Sequence, residues 1–159
     1  MLNFTMANGD IQGDMVPTAN SPKGRNGVPS IRLGKGNALY SPSGGFRLLL
    51  QDDGNAVLHC INDAVLPREW KTGTRMDPNT LQWSTPPMWN AGTNDKGVID
   101  LEMQSDGNLV AYSGSGAAWN SNTQNNPGAF LRMQDDGNLV IYGQGGAAIW
   151  STGTYAGGH

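Results

Sequence analysis

The chain has 159 residues, of which 37% are hydrophobic and 14% are charged, and 23 are glycines. This composition fits one compact, turn-rich domain, and the apolar runs are far too short to cross a bilayer, so membrane insertion is not expected. The net charge of −3 argues against nucleic acid as a partner, because nucleic-acid binding usually requires a basic surface.

The amino-terminal segment, residues 1–30, is rich in Gly, Pro, Asn and Ser. We expect residues 1–30 to form an amino-terminal arm or an extra hairpin, and residues 31–159 to form the main domain. The stretch from Met1 to Asp10 has neither a basic start nor an apolar segment, so it does not resemble a secretory signal. We therefore expect a cytoplasmic protein or one that is exported by a non-classical route.

Short apolar runs with alternating polar residues recur along the chain, and each run is bounded by Gly, Asn, Asp, Pro or Ser. This pattern is typical of β-strands, and no stretch shows the sustained 3.6-residue period of an amphipathic helix. The recurring Asp-Gly step is a strong hairpin signal, because Gly supplies the positive φ of a tight turn. The sequence therefore predicts an all-β sandwich, barrel or prism.

A motif of the form Gln-x-Asp-x-Asn-x-Val-x-Tyr occurs twice, and an earlier copy ends in His. An apolar strand precedes each copy, and a tryptophan with small polar neighbours follows it. The last two copies begin at Gln104 and Gln134, and Trp89 and Trp119 precede them at equal distances. Because the polar residues repeat as faithfully as the apolar ones, we expect a repeated binding site. The copies are site 1 (Gln51, Asp53, Asn55, Val57, His59), site 2 (Gln104, Asp106, Asn108, Val110, Tyr112) and site 3 (Gln134, Asp136, Asn138, Val140, Tyr142).

The second strand of each unit divides its side chains between two faces. In site 2, Asn108, Val110 and Tyr112 face one way, whereas Leu109 and Ala111 face the other. We expect the apolar side to fill the core and the polar side to form an outer, concave surface. One tryptophan from each unit is expected to join a shared core. These are Trp89, Trp119 and Trp150.

An insertion at about residues 60–88 interrupts the repeat, because the distance in sequence from His59 to Trp89 is much longer than that from Tyr112 to Trp119. A segment of this size is expected to be a functional loop or an oligomer contact, and the sequence leaves both open. The only cysteine, Cys60, is expected to be a small buried residue or a bystander.

The three ordered motifs and the closing Trp150–Thr154 segment resemble the bulb-type, mannose-binding lectins of monocot plants, a family also found in bacteria, fungi and fish. The resemblance covers roughly residues 31–155, without the insertion. It implies a β-prism of the second type, in which three four-stranded antiparallel sheets surround a pseudo-threefold axis with a tryptophan core. It also implies that each motif binds one mannose without a metal or cofactor.

The resemblance assigns a role to each motif residue. Asp106 and Asn108 would bind the axial 2-hydroxyl of mannose, Gln104 the 3-hydroxyl and Tyr112 the 4-hydroxyl, while Val110 packs against the C3–C4 edge. Asp136, Asn138, Gln134, Tyr142 and Val140 would repeat these roles in site 3. The residue types suit this chemistry, since a carboxylate accepts hydrogen bonds, an amide donates and accepts, and a phenol does either.

The sequence departs from the plant pattern in site 1, where His59 replaces the tyrosine. Imidazole is shorter and places its hydrogen bond differently, so the sequence leaves open whether site 1 binds sugar. The cysteine that plant members carry between Asp and Asn is replaced by Gly54, and a chain with a single cysteine cannot form an internal disulfide. This favours a bacterial or fungal protein that works without disulfides.

Two other classes of function remain as alternatives. The repeat would be a non-binding β-prism scaffold if Asp and Asn only made turn hydrogen bonds, or a toxin-associated interaction module. Catalysis is not expected, because adjacent carboxylates such as Asp135 and Asp136 point to opposite faces of a strand and would not flank one glycosidic bond. The partners expected are mannose-containing glycans and a second copy of the chain, which would dimerise by exchanging residues 143–155.

Overall fold

The computed structural model describes residues 4–5, 9–61, 75–77, 82–84 and 87–155. These residues form sixteen strands and no helix, which confirms the predicted all-β class. None of them forms a helix long and apolar enough to cross a membrane. In chain order the strands are β1 (Phe4–Thr5), β2 (Ile11–Gln12), β3 (Asp14–Met15), β4 (Ser30–Gly34), β5 (Ala38–Tyr40), β6 (Phe46–Leu50), β7 (Ala56–Cys60), β8 (Arg75–Asp77), β9 (Gln82–Ser84), β10 (Trp89–Asn90), β11 (Val98–Gln104), β12 (Leu109–Ser113), β13 (Gly116–Asn120), β14 (Phe130–Met133), β15 (Leu139–Tyr142) and β16 (Ala148–Ser151).

Three sheets repeat one arrangement, in which three antiparallel strands are joined by a fourth that lies between Asp14 and Tyr40 in the sequence. The second sheet has the order β13-β12-β11-β4 and the third β16-β15-β14-β3. The first sheet has the order β1-β2-β5-β6-β7-β10, so it has six strands rather than the four expected. The extra strands arise because β2 pairs in parallel with β5 and carries β1 on its other edge.

The amino-terminal segment contributes strands to these sheets as well as a hairpin. Met15 of β3 pairs with Leu131 of β14, so β3 forms one edge of the third sheet. Residues 22–30 form a tight hairpin, in which the Gly24 N–H donates to the Val28 carbonyl at 2.8 Å. We call this the 22–30 hairpin. The strands β2 and β3 have only two residues each, which is too short to produce a periodic sequence signal.

The inward faces of the three sheets form the core. The predicted apolar side of each second strand is fully buried, since Leu109, Ala111, Leu139 and Ile141 are at most 1% exposed. Cys60 is also buried in this core, as expected.

The three tryptophans contact one another in edge-to-face pairs, with ring centroids 5.7, 5.8 and 5.8 Å apart. The predicted trio is therefore present, but each ring is only partly buried and packs against the core from its margin. Because each pair has nearly the same spacing, the rings indicate that the three sheets are related by an approximate threefold axis. The members of the trio are Trp89, Trp119 and Trp150.

The glycine of each motif is required by its loop. Gly107 has a φ of 96°, and a Cβ there would lie 2.5 Å from the Asn126 carbonyl oxygen and 2.7 Å from that of Thr123. Gly137 has a φ of 94°, and a Cβ would lie 2.9 Å from the Thr154 carbonyl oxygen. Any side chain would therefore meet both backbone strain and a clash. The insertion predicted at residues 60–88 lies mostly outside the described residues; within it, β8 and β9 pair with each other.

Candidate functional site

Each motif spans one hairpin, which explains how five residues separated in sequence reach one surface. In site 2, Gln104 ends β11, Asp106 and Asn108 form the loop, and Val110 and Tyr112 lie on β12. Site 3 uses the β14–β15 hairpin and site 1 the β6–β7 hairpin in the same way.

A chain of hydrogen bonds joins three of the site 2 side chains. The Tyr112 hydroxyl donates to Gln104 Oε1 at 2.6 Å, and Gln104 Nε2 lies 3.2 Å from both carboxylate oxygens of Asp106. Asp106 Oδ1 also accepts the Asn108 backbone N–H at 3.0 Å, which closes the turn. The glutamine therefore fixes the positions of both the phenol and the carboxylate.

Site 3 contains the same chain. With the Gln134 amide oriented so that its oxygen accepts from the Tyr142 hydroxyl, Nε2 lies 3.0 and 3.2 Å from the two Asp136 oxygens. Asp136 Oδ1 accepts the Asn138 N–H at 2.9 Å. Gln134 remains partly exposed, whereas Gln104 is only 1% exposed. The two sites thus share a network but differ in how openly it faces the solvent.

A threonine after each tryptophan clamps the loop, and the sequence pattern did not reveal this role. Thr123 Oγ1 donates to the Gly107 carbonyl at 2.6 Å, and the Thr123 N–H donates to Asn108 Oδ1 at 3.2 Å. Thr154 makes the corresponding bonds to Gly137 and Asn138, and Thr93 makes them to Gly54 and Asn55. The signal was the threonine at the same offset after each tryptophan, which occurs in all three units.

The clamp decides which polar atoms are left for a ligand. The Asn108 side-chain oxygen already accepts hydrogen bonds from Ser121 and Thr123. Among the described residues, Nδ2 of Asn108 has no hydrogen-bond partner, so this N–H group is available beside the acceptor oxygens of Asp106. A donor and an acceptor side by side satisfy one hydroxyl group of a ligand in both of its roles.

The floor of site 2 is acidic and is covered by the 22–30 hairpin. Asp100 and Glu102 of β11 lie opposite Tyr112 and Val110, respectively, and both are buried. The Arg25 backbone N–H donates to Glu102 Oε1 at 3.2 Å, and Arg25 Nε donates to Asp100 Oδ2 at 3.0 Å.

A second arginine and a glycine complete this floor. Arg32 of β4 lies 3.4 Å from each of the two carboxylates. A Cβ on Gly24 would lie 2.0 Å from Glu102 Oε1, so only glycine allows the 22–30 hairpin this close to β11.

The floor of site 3 is cationic and aromatic instead. Phe130 and Arg132 occupy the positions of Asp100 and Glu102. Arg132 makes two hydrogen bonds, of 2.9 and 3.0 Å, to the buried carboxylate of Asp14. Its guanidinium also lies 5.1 Å from the Phe130 ring centroid and 5.6 Å from that of Tyr142. One arginine therefore neutralises Asp14 and holds the site tyrosine in place.

Site 1 keeps the loop but lacks the tyrosine network. Asp53 Oδ1 accepts the Asn55 N–H at 2.9 Å, as in the other sites. His59 lies opposite Arg47 of β6, and no hydrogen bond joins His59 to Gln51 among the described residues. The shorter imidazole thus leaves the end of site 1 without the phenol that sites 2 and 3 contain.

Electrostatics keep the site 2 phenol protonated. Burial raises the pKa of Tyr112, and the nearby carboxylates of Glu102, Asp106 and Asp100 raise it further. Tyr112 therefore stays a hydrogen-bond donor throughout the neutral range. In the part of the chain that the structure describes, no three His, Cys, Asp or Glu side chains come together as metal ligands would.

Comparison with known proteins decides the family. No protein-family model matches the chain. In sequence, the B-type lectin plumieribetin of Scorpaena plumieri is 34% identical over 86 residues, which make up 54% of this chain and 55% of that protein. A solved structure of a monomeric monocot mannose-binding lectin from Gastrodia elata is 36% identical, with a TM-score of 0.59 over 79% of this chain and 93% of its own. The chain belongs to the bulb-type lectin family.

A lectin of Marasmius oreades supports the same fold, with 27% identity and a TM-score of 0.63 over 90% of this chain and 92% of its own. The three sheets of the present chain are therefore those of a β-prism II, as predicted. The relatives are lectins, which bind carbohydrate without catalysis, so the prediction that the chain is not an enzyme is confirmed. The match to plumieribetin spans only about half the length of that protein.

Proposed function

We propose that this lectin binds α-D-mannose and mannose-containing glycans through sites 2 and 3, without a metal ion. The observation that carries the proposal is the repeated Tyr–Gln–Asp hydrogen-bond chain. A hairpin needs only the Asp and Asn turn bonds, so turn geometry gives no reason for Gln and Tyr to recur at the same offsets. The relative from Gastrodia elata, which is described as mannose-binding, supports the same ligand.

The available atoms support the roles that the resemblance implies. Asp106 offers acceptor oxygens and Asn108 offers Nδ2, which together suit the axial 2-hydroxyl. Tyr112 offers its phenol to the 4-hydroxyl, and Val110 lies between Asn108 and Tyr112 on the same face of β12 as an apolar contact. An epimer with an equatorial 2-hydroxyl would leave the carboxylate and amide poorly matched, at a cost of about 1–3 kcal/mol. Site 3 offers the same groups, with Gln134 and Asp136 more exposed than in site 2 and Asn138 more buried.

The scaffold alternative has one observation in its favour. Asp106 Oδ1 and Asn108 Oδ1 are both engaged in local hydrogen bonds, as a purely structural loop would require. That role leaves Asn108 Nδ2 and the Gln104–Tyr112 bond without a purpose, and so the binding function is preferred.

A calorimetric titration with methyl α-mannoside, with EDTA present, tests the proposal. We expect weak saturable binding at two or more sites per chain, with a Kd on the order of millimolar, so that useful strength comes from multivalency. Methyl α-glucoside is the matched control, because it differs only at the 2-hydroxyl. Absence of heat with both mannoside and a mannose-rich oligosaccharide would support the scaffold alternative.

The double variant Asp106→Asn and Asp136→Asn tests the assignment of residues. Asparagine keeps the Oδ1 acceptor for the turn but replaces Oδ2, one of the two oxygens near Gln Nε2, with a donor, and it removes the negative charge. We expect most mannoside binding to disappear while thermal unfolding changes little. Unchanged affinity in a folded variant would refute the site assignment.

A homodimer formed by exchange of residues 143–155 stays a prediction. In this chain β16 pairs with β15 of the same chain, so exchange would move β16 to the corresponding edge of a partner. Light scattering at micromolar concentration tests this, and a monomer would exclude it.

A further inference from the structure

Site 1 differs from the other two sites at a pair of facing strand positions. It has an arginine and a histidine there, whereas each of the other sites has a tyrosine that faces an aspartate or a phenylalanine. Arg47 and His59 lie directly opposite each other on β6 and β7. The same pair of positions holds Asp100 and Tyr112 in site 2, and Phe130 and Tyr142 in site 3. Of the three sites, site 1 alone therefore has a cationic residue directly opposite the last motif residue, where a sugar is expected to place its 4-hydroxyl.

These two side chains have unsatisfied nitrogen atoms. Arg47 Nε and His59 Nδ1 are buried and have no hydrogen-bond partner in the part of the chain that the structure describes. No carboxylate among the described residues forms an ion pair with Arg47, whereas Arg25, Arg32 and Arg132 all have such partners. A buried donor without an acceptor is costly, and a charged one more so. Within the described ranges, this pair therefore lacks an acceptor that carries negative charge.

Site 1 keeps the turn and the clamp of its loop, and its Asn55 Nδ2 lies 3.5 Å from Asn90 Oδ1. Asp53 closes the turn onto Asn55, and Thr93 holds the loop through the Gly54 carbonyl and Asn55 Oδ1. Arg47 and Gln51 are separated by roughly 13 Å along an extended strand. The acidic loop and the basic pair thus lie at opposite ends of the site, which separates the charge of Asp53 from the charge of Arg47.

We propose that site 1 binds a sugar that carries an oxyanion, such as a carboxylate, sulfate or phosphate. Asp53 and Asn55 receive a ring hydroxyl, and the Arg47 guanidinium and the His59 imidazole receive the anionic group. This inference rests on the proposed sugar-binding function and adds a ligand class for the copy of the motif that departs from it. A guanidinium suits this role because its parallel N–H groups match the oxygens of a carboxylate, sulfate or phosphate.

The proposal includes a linkage to pH. Burial lowers the pKa of His59, and the charge of Arg47 lowers it further. Among the described residues, the titratable groups in the same row as His59 are Arg47 of β6 and, beyond it, Tyr40 of β5, while the β10 residues Trp89 and Asn90 pair with Leu58 and Val57. A bound oxyanion favours the imidazolium and raises this pKa, so binding takes up a proton. Affinity for a sugar carboxylate or sulfate, whose own charge is constant in this range, should therefore rise as the pH falls from 8 to 6.

The test uses the full chain with three probes: mannose 6-phosphate, methyl α-mannoside and inorganic phosphate. The pKa of His59 is followed by NMR of the imidazole signals. The chain has two histidines, so the signal of His59 is the one that disappears in the His59→Tyr variant. We expect mannose 6-phosphate to bind roughly tenfold more tightly at site 1 than methyl α-mannoside and to raise the His59 pKa. Inorganic phosphate alone should produce a clearly smaller shift at equal concentration.

Two variants and one control make the test specific. Arg47→Gln and His59→Tyr should each remove the preference for the anionic sugar, whereas Lys35→Gln, which removes an exposed positive charge from a loop, should preserve it. Tryptophan fluorescence, to which the ring trio contributes, checks that each variant folds.

The outcomes separate this proposal from the general function. Mannoside binding at sites 2 and 3 without any anionic preference at site 1 would overturn only the site 1 inference. The same holds if the preference persists in folded Arg47→Gln, or if inorganic phosphate shifts His59 as strongly as the sugar phosphate. Absence of binding by every sugar probe would overturn both proposals.

Discussion

Sites 2 and 3 have the same five motif residues and the same order of hydrogen bonds, yet different side chains support them from the strand beneath. Asp100 and Glu102 lie under site 2 and are neutralised by Arg25 and Arg32. Under site 3, Phe130 and Arg132 fill the equivalent positions, with Asp14 as the partner of Arg132.

The difference separates two kinds of constraint. The motif residues repeat because they bond to one another across one hairpin, and a change in any of them breaks the chain. The supporting residues contact strands that come from elsewhere in the sequence, so each floor only has to balance its own charge and fill its own space. Site 2 does so with two partly exposed arginines, and site 3 with a single, doubly bonded one.

The largest expected effect comes from removing the single arginine of site 3. Arg132→Ala would leave Asp14, which is 1% exposed, as an unpaired buried carboxylate and would remove the cation beside the Tyr142 ring. We expect the free energy of unfolding to fall by about 3 kcal/mol, because breaking a buried pair on one side costs about 3–5 kcal/mol and Arg132 is partly exposed. Urea unfolding measures this loss.

Arg32→Ala is the matched control at site 2. Arg32 is 52% exposed, and its loss leaves Arg25 bonded to both carboxylates of that floor. We therefore expect a loss below about 1 kcal/mol. Equal losses in the two variants would show that the floors do not differ in the way the contacts indicate.

The next largest effect is expected from the 22–30 hairpin, which lies over the floor of site 2. Gly24→Val would push the 22–30 hairpin away from β11, because the first side-chain carbon meets Glu102 Oε1. Overpacking of this kind costs about 1–3 kcal/mol, and it should weaken mannoside binding at site 2 while site 3 is unaffected. Calorimetric stoichiometry reads out the two sites separately. Gly27→Val is the control, because no atom lies within 4 Å of a Cβ there and its backbone strain is confined to the hairpin tip.

The hairpins and the tryptophan trio could be predicted from the sequence because their signals are local or periodic. Asp-Gly steps, alternating side chains and a repeated tryptophan each act within a short stretch of chain. The six-stranded first sheet could not be predicted, because β1 and β2 have two residues each and their pairing depends on a distant strand. The insertion at 60–88 could be located by its length, but its role had no local signal.

The candidate sites could be predicted as far as the motif reaches. The floors could not, since Arg25 meets Asp100 across 75 residues and Arg132 meets Asp14 across 118. The same limit applies to Gln104, which is 1% exposed and pairs with Ser30, where the 22–30 hairpin runs into β4. The pairing of Arg47 with His59 follows from strand register, which a substitution of one motif residue does not reveal.

A smaller effect is expected in how the free energy of unfolding depends on pH, with opposite signs for a carboxyl group at site 2 and one beside site 3. Burial raises the pKa of Glu102, and the neighbouring Asp100 adds to this, so the folded chain holds that proton more tightly than the unfolded chain. This contribution to stability is present at low pH and is lost as the pH rises from the ordinary value of 4.5 through the raised pKa. Glu102→Gln should therefore flatten the decline of the unfolding free energy between pH 4.5 and 7.5.

Asp135, beside site 3, gives the opposite sign. Burial tends to raise its pKa, but hydrogen bonds from the Ser43 backbone and side chain, with one from Ser41, outweigh this and lower it. Its contribution is present above the ordinary value of 3.8 and is lost as the pH falls through the lowered pKa. Asp135→Asn should therefore weaken the fall in the unfolding free energy between pH 4.5 and 2.5. At neutral pH, the curves of unfolding free energy against pH should be parallel for the variant and the wild type. A parallel curve for Glu102→Gln would contradict the assignment at site 2.

The smallest effect is expected where the two sites are most alike. Thr123→Val and Thr154→Val each remove a hydroxyl that donates to a motif glycine carbonyl and lies 2.7 Å from a second hydroxyl. Each should lower the free energy of unfolding by about 1 kcal/mol, because valine keeps the volume but leaves buried groups unpaired. Each should also weaken mannoside binding only at its own site, since the lost hydroxyl holds the glycine carbonyl next to the motif asparagine. If the losses of unfolding free energy in the two variants differ by more than about 1 kcal/mol, the residues beneath each site influence its loop. The motif and the supporting residues would then not be independent.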